Sequence, residues 1–188
     1  MSTAETTELK ATTDKPRNDH HRIGVIDLGT NTFHLMVIDI IDTHRHIIQE
    51  KFKIPVKLGE GGITKNFISE APFERGLEAL KQFRKILDGH EVQDVYAFAT
   101  SAIRGASNGP DFVETALRET GIEVKVINGN EEAALIYQGV KSGVNLPTEG
   151  DSLVVDIGGG SVEFIVAEPA MAKLFRSTQL GAARLLQL

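Results

Sequence analysis

An acid and three consecutive glycines stand between two apolar runs in Leu153-Val154-Val155-Asp156-Ile157-Gly158-Gly159-Gly160-Ser161-Val162-Glu163-Phe164-Ile165-Val166. The flanking apolar residues predict two strands joined by a tight turn. Glycine has no Cβ and can adopt positive φ, so the N–H groups of such a turn can approach an anionic oxygen closely. Asp156 lies where a metal ion would meet that anion. The stretch therefore predicts a turn that binds phosphate.

A second copy of this pattern stands near the start of the chain, in Ile23-Gly24-Val25-Ile26-Asp27-Leu28-Gly29-Thr30-Asn31-Thr32-Phe33-His34-Leu35-Met36-Val37-Ile38. A β-rich run again ends in an acid, Asp27, two residues before a glycine. A second β-rich run follows the turn. One such turn is a weak signal, but two of them predict two similar lobes that each offer a hairpin to a shared cleft.

Composition limits the class of protein. The chain has 188 residues and is 41% hydrophobic, which is enough for a buried core. It has no cysteine, which excludes disulfides and thiol chemistry, and Met1–His20 has no apolar segment typical of a signal peptide. A net charge of −6 argues against binding a nucleic-acid polymer. We expect a cytoplasmic protein without a membrane partner.

The pattern of apolar residues divides the chain into three parts. We predict a disordered tail over residues 1–21, a first lobe over 22–128, and, over 129–188, a linking helix with the incomplete first part of a second lobe. In the first lobe we expect a meander of three strands, two amphipathic helices and two further strands. The meander covers residues 23–28, 33–41 and 47–56. The helices cover residues 71–87 and 110–120, and the two further strands cover residues 94–100 and 122–127.

Polar residues follow the strand 94–100 directly, in a segment that we interpret as a loop. Loops at the carboxyl ends of strands are where open α/β folds bind ligands, so Thr100, Ser101 and Arg104 are candidate site residues. Arg104 could bind a phosphate or pair with a surface acid. The glycine-rich segment 59–62 could also cradle a phosphate, but without a helix directly behind it we interpret it as a connecting loop.

Two neighbouring glutamates begin the helix that links the lobes. If Asn128 caps this helix, Glu131 falls at the capping-box position and can bond back to the cap. Glu132 then lies about 100° further round the helix and is free to face a cleft. The alternative for either glutamate is an ordinary favourable interaction with the helix dipole.

The end of the chain starts a helix at about Gly181 and shows no stop signal. The second lobe thus has strands but none of the helices needed to cover them, and we expect the chain to be the N-terminal part of a longer protein. We also expect this piece alone to be inactive or poorly folded, because apolar strand faces would be exposed.

Five ordered segments make the chain resemble the Ppx/GppA family of exopolyphosphatases and guanosine pentaphosphate phosphohydrolases, within the actin-like ATPase fold shared with sugar kinases and Hsp70. The segments are residues 24–34, 99–104, 127–133 with Tyr137 and 139–140, 155–163, and 180–185. The resemblance implies an α/β, actin-like (ribonuclease H-like) lobe with a mixed sheet flanked by helices, plus the beginning of a second similar lobe.

The resemblance also implies roles for single residues. Glu132 would be the general base that orients the attacking water, Asp27 and Asp156 would hold Mg²⁺, and Glu163 matches a family acid whose role is less settled. The two glycine turns, the segment after the strand 94–100 and Arg104 would bind phosphates. These phosphate-binding candidates are Gly29, Thr30, Asn31, Thr32, Ser101, Arg104, Gly158, Gly159, Gly160 and Ser161.

The activity implied is Mg²⁺-dependent hydrolysis of phosphoanhydride bonds in polyphosphate, or of pppGpp to ppGpp, a reaction of the stringent response. Partners would be polyphosphate or guanosine penta- and tetraphosphate, with a homodimer for the full-length protein. The residues agree with this chemistry, which needs charge neutralisation on phosphates, a positioned water and a carboxylate. Two alternatives remain: a phosphotransferase related to sugar or acid kinases, and a non-catalytic sensor of nucleotide or polyphosphate.

Overall fold

Two β-sheets organise the chain in the computed structural model, which describes residues 21–169 and 171–187. The first sheet is mixed and has the strand order β3-β2-β1-β4-β5. The second is antiparallel and has the order β6-β7-β8. The strands are β1 (His21–Leu28), β2 (Thr32–Ile40), β3 (His46–Pro55), β4 (Asp94–Ala99), β5 (Val124–Val126), β6 (Ser152–Ile157), β7 (Val162–Ala167) and β8 (Ala172–Thr178).

The first three strands form the predicted antiparallel meander, and β1, β4 and β5 run parallel. Residues alternate across β1, so that Ile26 and Leu28 are fully buried in the core. Asp27 lies between them and therefore faces the opposite side of the sheet. This alternation keeps the acid out of the core and leaves it accessible at the end of the strand.

The described residues form five α-helices and one short 3₁₀ helix (Ile63–Lys65), and the last α-helix follows β8. The helix α1 buries Leu77, Leu80 and Leu87 at helical spacing in the same core as β1, as its amphipathic pattern predicts. In α3, the ring of Phe112 packs edge-on against Phe73, with 5.0 Å between ring centroids. The helices are α1 (Glu70–Gly89), α2 (Ser101–Gly105), α3 (Gly109–Thr120), α4 (Gly129–Gly143) and α5 (Ala182–Leu185).

The second sheet is covered on one face, contrary to the expectation of strands without covering helices. Ala133 and Tyr137 of α4 are buried against Ile165 and Ala167 of β7. The helix that links the lobes thus also supplies an apolar layer to the second sheet, because its tyrosine and alanine lie one turn apart on the same side. On the opposite face, the apolar side chains of β6 and β8 are exposed, at Leu153, Val155, Ile157 and Leu174.

The predicted α/β class, a mixed sheet flanked by helices with the beginning of a second lobe, is confirmed. The loop predicted after β4 is wrong: Ser101–Gly105 is α2, since Arg104 closes a helical turn by donating its amide to the Thr100 carbonyl. The 3₁₀ helix likewise starts directly behind the segment 59–62.

The predicted disordered tail lies outside the described residues except for His21, which begins β1. The boundary predicted between the lobes at residues 128 and 129 stays a prediction. Among the described helices, none is both long enough and apolar enough to cross a bilayer.

Candidate functional site

The two glycine turns found in the sequence contact each other across the lobes. A Cβ added to Gly160 would lie 2.5 Å from Oγ of Ser101 and 2.7 Å from Oγ1 of Thr30. A Cβ on Gly159 would lie 2.9 Å from Nδ2 of Asn31. Neither position has room for a side chain, since real Cβ atoms do not approach other atoms so closely. The glycines allow the second-lobe turn to pack directly on the first.

This finding corrects the reason given for the glycines. The sequence suggested glycine at residues 158–160 because glycine can adopt positive φ, but the glycines with positive φ among the described residues are Gly61, Gly121 and Gly150. None of the three glycines has a positive φ. Close packing against the other lobe explains Gly159 and Gly160, whereas a Cβ on Gly158 would meet only the Ser161 carbonyl oxygen of the same turn, at 3.1 Å.

Hydrogen bonds fix the direction of the peptide groups in this turn. The carbonyl oxygens of Gly158 and Gly159 accept from the amides of Ala182 and Ala183 at the start of α5, at 2.9 and 2.7 Å. In a trans peptide the N–H points opposite to the C=O, so the following amides, of Gly159 and Gly160, point away from α5. These amides have no intramolecular hydrogen bond among the described residues, which suits them to bind an anion.

A cavity of about 300 Å³ lies between the two turns. Nearly all the predicted phosphate-binding residues line it, together with three carboxylates from three different elements. Its walls are Asp27, Gly29, Thr30, Asn31, Thr32, His34, Thr100, Ser101, Glu132, Asp156, Gly158, Gly159, Gly160 and Ser161. The fold thus brings the two hairpins and the linking helix to one space, as expected for a cleft shared by two lobes.

Asp156 is close enough to Asp27 to affect the ionisation of Asp27. The pKa of Asp27 is raised, first because the surrounding protein displaces water from its carboxyl group. His34, its partner in the β1–β2 register, lowers that pKa, and the negative charge of Asp156 raises it. An acid whose pKa is raised by burial and by a neighbouring carboxylate is stabilised in its charged form by a cation.

The donor set fits Mg²⁺ when substrate is present. Mg²⁺ is usually held by one or two carboxylates together with waters and substrate phosphates, and Asp27 and Asp156 supply two carboxylates. Over the described part of the chain, no group of three or more His, Cys, Asp or Glu side chains is arranged to hold a metal ion by itself. The cavity is thus suited to a metal that arrives with a phosphate ligand.

The start of α4 separates the two neighbouring glutamates, as predicted. Asn128 caps the helix and accepts from the amides of Asn130 and Glu131, while the Glu131 carboxylate accepts from the Asn128 amide at 2.8 Å. Glu132 lies further round the helix and lines the cavity. Its pKa is raised, first by burial and then by the charges of Glu163 and Asp27, while the hydrogen bond and charge of Arg104 lower it.

Arg104 lies beside Glu132 and not in the cavity wall. Its Nη1 is 2.8 Å from Oε2 of Glu132 and also donates to the Ile127 carbonyl at 2.9 Å. The acid that Arg104 pairs with is therefore Glu132, the predicted general base, and not a surface acid. Contact of Arg104 with a phosphate stays a prediction.

Glu163 is buried and faces Asp156 across the β6–β7 ladder. Its carboxylate accepts a hydrogen bond of 2.7 Å from Oγ of Ser177. Sequence reasoning missed Ser177, whose only signal is the β7–β8 register that places it opposite Glu163. A Cβ on Gly129 would lie 2.4 Å from the Cβ of Ser177, so a glycine at the start of α4 lets that helix approach β8.

Two further residues were missed. His34 lines the cavity opposite Asp27 and was quoted only as part of a motif. Arg184 is buried behind the second-lobe turn, where its Nε donates to the Gly160 carbonyl at 3.1 Å and its Nη1 to the Ile63 carbonyl at 2.8 Å. An arginine in an alanine- and leucine-rich segment gives no local sign of such a contact.

Comparisons with known proteins identify relatives of this chain. A model of the Ppx/GppA phosphatase family matches residues 36–188. An exopolyphosphatase from Cytophaga hutchinsonii is 46% identical with a TM-score of 0.84, over 88% of this chain and 53% of that protein. The Aquifex aeolicus member of the Ppx/GppA family is 29% identical with a TM-score of 0.74, over 89% of this chain and 54% of that protein. The chain thus spans about half the length of these solved relatives.

Proposed function

The chain belongs to the Ppx/GppA phosphatase family, and we propose on this basis that it hydrolyses phosphoanhydride bonds in a Mg²⁺-dependent reaction. The substrate is inorganic polyphosphate, from which the terminal phosphate is released, or pppGpp, which is converted to ppGpp, or both. Similarity to a solved exopolyphosphatase at 46% identity supports the first of these substrates.

One observation carries the proposal: Asp27, Asp156 and Glu132 line the same cavity as both glycine turns. Hydrolysis of a phosphoanhydride needs donors on the phosphates, neutralisation of their charge and a group that takes a proton from water. The amides of Gly159 and Gly160 are the donors, and Asp27 with Asp156 would hold the Mg²⁺. Bound there, the metal supplies positive charge to the phosphate oxygens.

Glu132 is the residue that handles the proton. The oxygen of a water molecule bonds to the terminal phosphorus, the bond from that phosphorus to the bridging oxygen breaks, and the proton of the water passes to the Glu132 carboxylate. The pKa of Glu132 is raised and therefore lies closer to neutral pH, and a general base is most effective when its pKa is near the pH of the reaction. Its ion pair with Arg104 holds Oε2 in place.

The test is phosphate release from long-chain polyphosphate and from pppGpp, with and without Mg²⁺. Glu132→Gln keeps the shape of the side chain but cannot take up the proton, and we expect it to lower kcat by about 100-fold or more. Glu131→Gln is a matched control on the same helical turn, because glutamine also completes a capping box. It should release phosphate within about twofold of the wild-type rate.

Each alternative function has its own result in this test. Equal release by wild type and Glu132→Gln would remove Glu132 from the mechanism. Tight binding of the ligands by wild type without release of phosphate would favour a sensor. Transfer of phosphate from ATP to an added acceptor, without release from polyphosphate, would favour a phosphotransferase.

A further inference from the structure

A second cavity opens next to the phosphate cavity. We propose that it binds the continuation of the polyphosphate chain, beyond the phosphates at the cleaved bond, with Lys57 as its cation. This inference rests on the proposed function. It identifies a residue that determines which lengths of polyphosphate the protein prefers. The cavity has a volume of about 440 Å³, within the usual range of ligand sites.

The two cavities share a wall. Asn31 and Thr32 line both of them, since the turn after β1 separates one space from the other. An extended anion held by the glycine turns therefore passes over this single turn to reach the second cavity. No other cavity described here shares a wall with the phosphate cavity.

The second cavity is lined by one positively charged side chain. Lys57 lines it, and its ammonium group has no ion pair among the described residues. Glu60 also lines the cavity, but its carboxylate is 2.5 Å from Nη2 of Arg75 and is thereby neutralised. The uncompensated charge in this space is thus that of a lysine, which suits phosphate oxygens.

The backbone of Lys57 is held in an uncommon conformation beside the phosphate turn. Its φ is 48°, in the left-handed region that few residues other than glycine adopt. Its amide donates to the Asn31 carbonyl at 2.9 Å, as does the amide of Val56. These bonds hold the lysine at the junction of the two cavities, and such strain persists only where surrounding contacts enforce it.

The lining favours a phosphate chain over the nucleoside of a nucleotide. Among the residues that line the cavity none is aromatic, although purine bases are commonly bound by stacking on aromatic rings. A lysine and the side-chain amide of Asn31 are instead donors suited to anionic oxygens, while the Gln187 amide donates to the Gly59 carbonyl at 3.0 Å.

Binding of tripolyphosphate and of long-chain polyphosphate, measured by calorimetry with Mg²⁺, tests the inference. The measurements use the Glu132→Gln background so that the substrate is not consumed. We expect Lys57→Gly to lower the preference for the long chain over tripolyphosphate by about tenfold, as the loss of one charge-assisted contact implies. Glycine also relieves the left-handed φ, so the loss cannot be ascribed to unfolding.

Two further variants complete the design. Lys57→Arg keeps the charge and should retain the preference for the long chain. Lys85→Met removes an exposed lysine on α1, outside both cavities, and should leave both affinities unchanged. An unchanged preference in Lys57→Gly would overturn the subsite alone. Failure of the parent to bind either polyphosphate would overturn the proposed function and the subsite with it.

Discussion

Arg104 and Glu132 form an ion pair across the junction of the two lobes, with 2.8 Å between Nη1 and Oε2. The arginine comes from α2, directly after the first sheet, and the glutamate from the first turn of α4. Arg104 opposes the burial and the neighbouring acids that raise the pKa of Glu132. The ionisation of the predicted base is thus set jointly by both lobes.

Removal of Arg104 should move the pH profile of the reaction. The arginine lowers the pKa of Glu132, so Arg104→Gln lets that pKa rise further. Because the base acts when deprotonated, we expect the acidic limb of the kcat/KM profile to shift to higher pH. Arg118→Gln, an exposed position on α3, is the control. A lower kcat/KM without a shift of the acidic limb would show that Arg104 does not affect the pKa of Glu132.

Replacement of Glu132 should stabilise the fold at high pH. Its pKa is raised in the folded state, so the folded protein binds the proton more tightly than the unfolded chain. The charged carboxylate therefore costs stability above the raised pKa, and this cost disappears as the pH falls through it. We expect Glu132→Gln to raise Tm at neutral and higher pH, with a gain that shrinks on acidification.

Glu131 gives the opposite expectation on the same helical turn. Its pKa is lowered, first by the hydrogen bond from the Asn128 amide, so its charged form stabilises the fold above its unfolded pKa, and this is lost as the pH falls. Glu131→Gln should therefore not raise Tm at neutral pH. Thermal unfolding of the two variants from acidic to neutral pH checks both predicted changes in Tm. The same pH dependence of Tm in both variants would contradict the predictions.

A methyl group at Gly160 should separate the two turns. Its Cβ would collide with Ser101 and Thr30, and overpacking of this kind costs about 1–3 kcal/mol. We expect Gly160→Ala to lower both stability and affinity for polyphosphate. Gly139→Ala is the matched control, since no atom lies within 4 Å of its Cβ and alanine favours the helix by about 0.5–1 kcal/mol. Equal behaviour of the two variants would refute close packing as the reason for Gly160.

Loss of Arg184 should loosen the second-lobe turn. The arginine is buried and bonds the carbonyls of Gly160 and Ile63, which belong to different lobes. Arg184→Met removes a donor from both carbonyls; that of Ile63 still accepts from the Asn66 amide, whereas that of Gly160 keeps no hydrogen bond among the described residues, at a cost of about 1–3 kcal/mol. We expect lower stability and a higher KM for polyphosphate, with partial rescue by Arg184→Lys. Urea unfolding and steady-state kinetics measure the two effects, and a change in stability without any change in KM would limit Arg184 to a structural role.

Local signals in the sequence predicted much of this architecture. The capping box of Asn128 and Glu131, which lie within one helical turn, is formed as predicted. The helix α1 was found from the spacing of its apolar residues, and both hairpins from the apolar runs that flank the glycine turns. The short α2 was missed because five residues without a strong periodic pattern carry little signal.

The sequence by itself determined which residues can form the hairpins, the cap and the amphipathic helix, because these depend on contacts between residues close along the chain. Only the tertiary structure decided that Arg104 pairs with Glu132, that Ser177 bonds Glu163 and that Gly160 packs against Ser101. The contacts of Arg104 and Gly160 follow from how the two sheets and α4 pack together, and that of Ser177 follows from the register of β8 on β7. No local pattern encodes that packing.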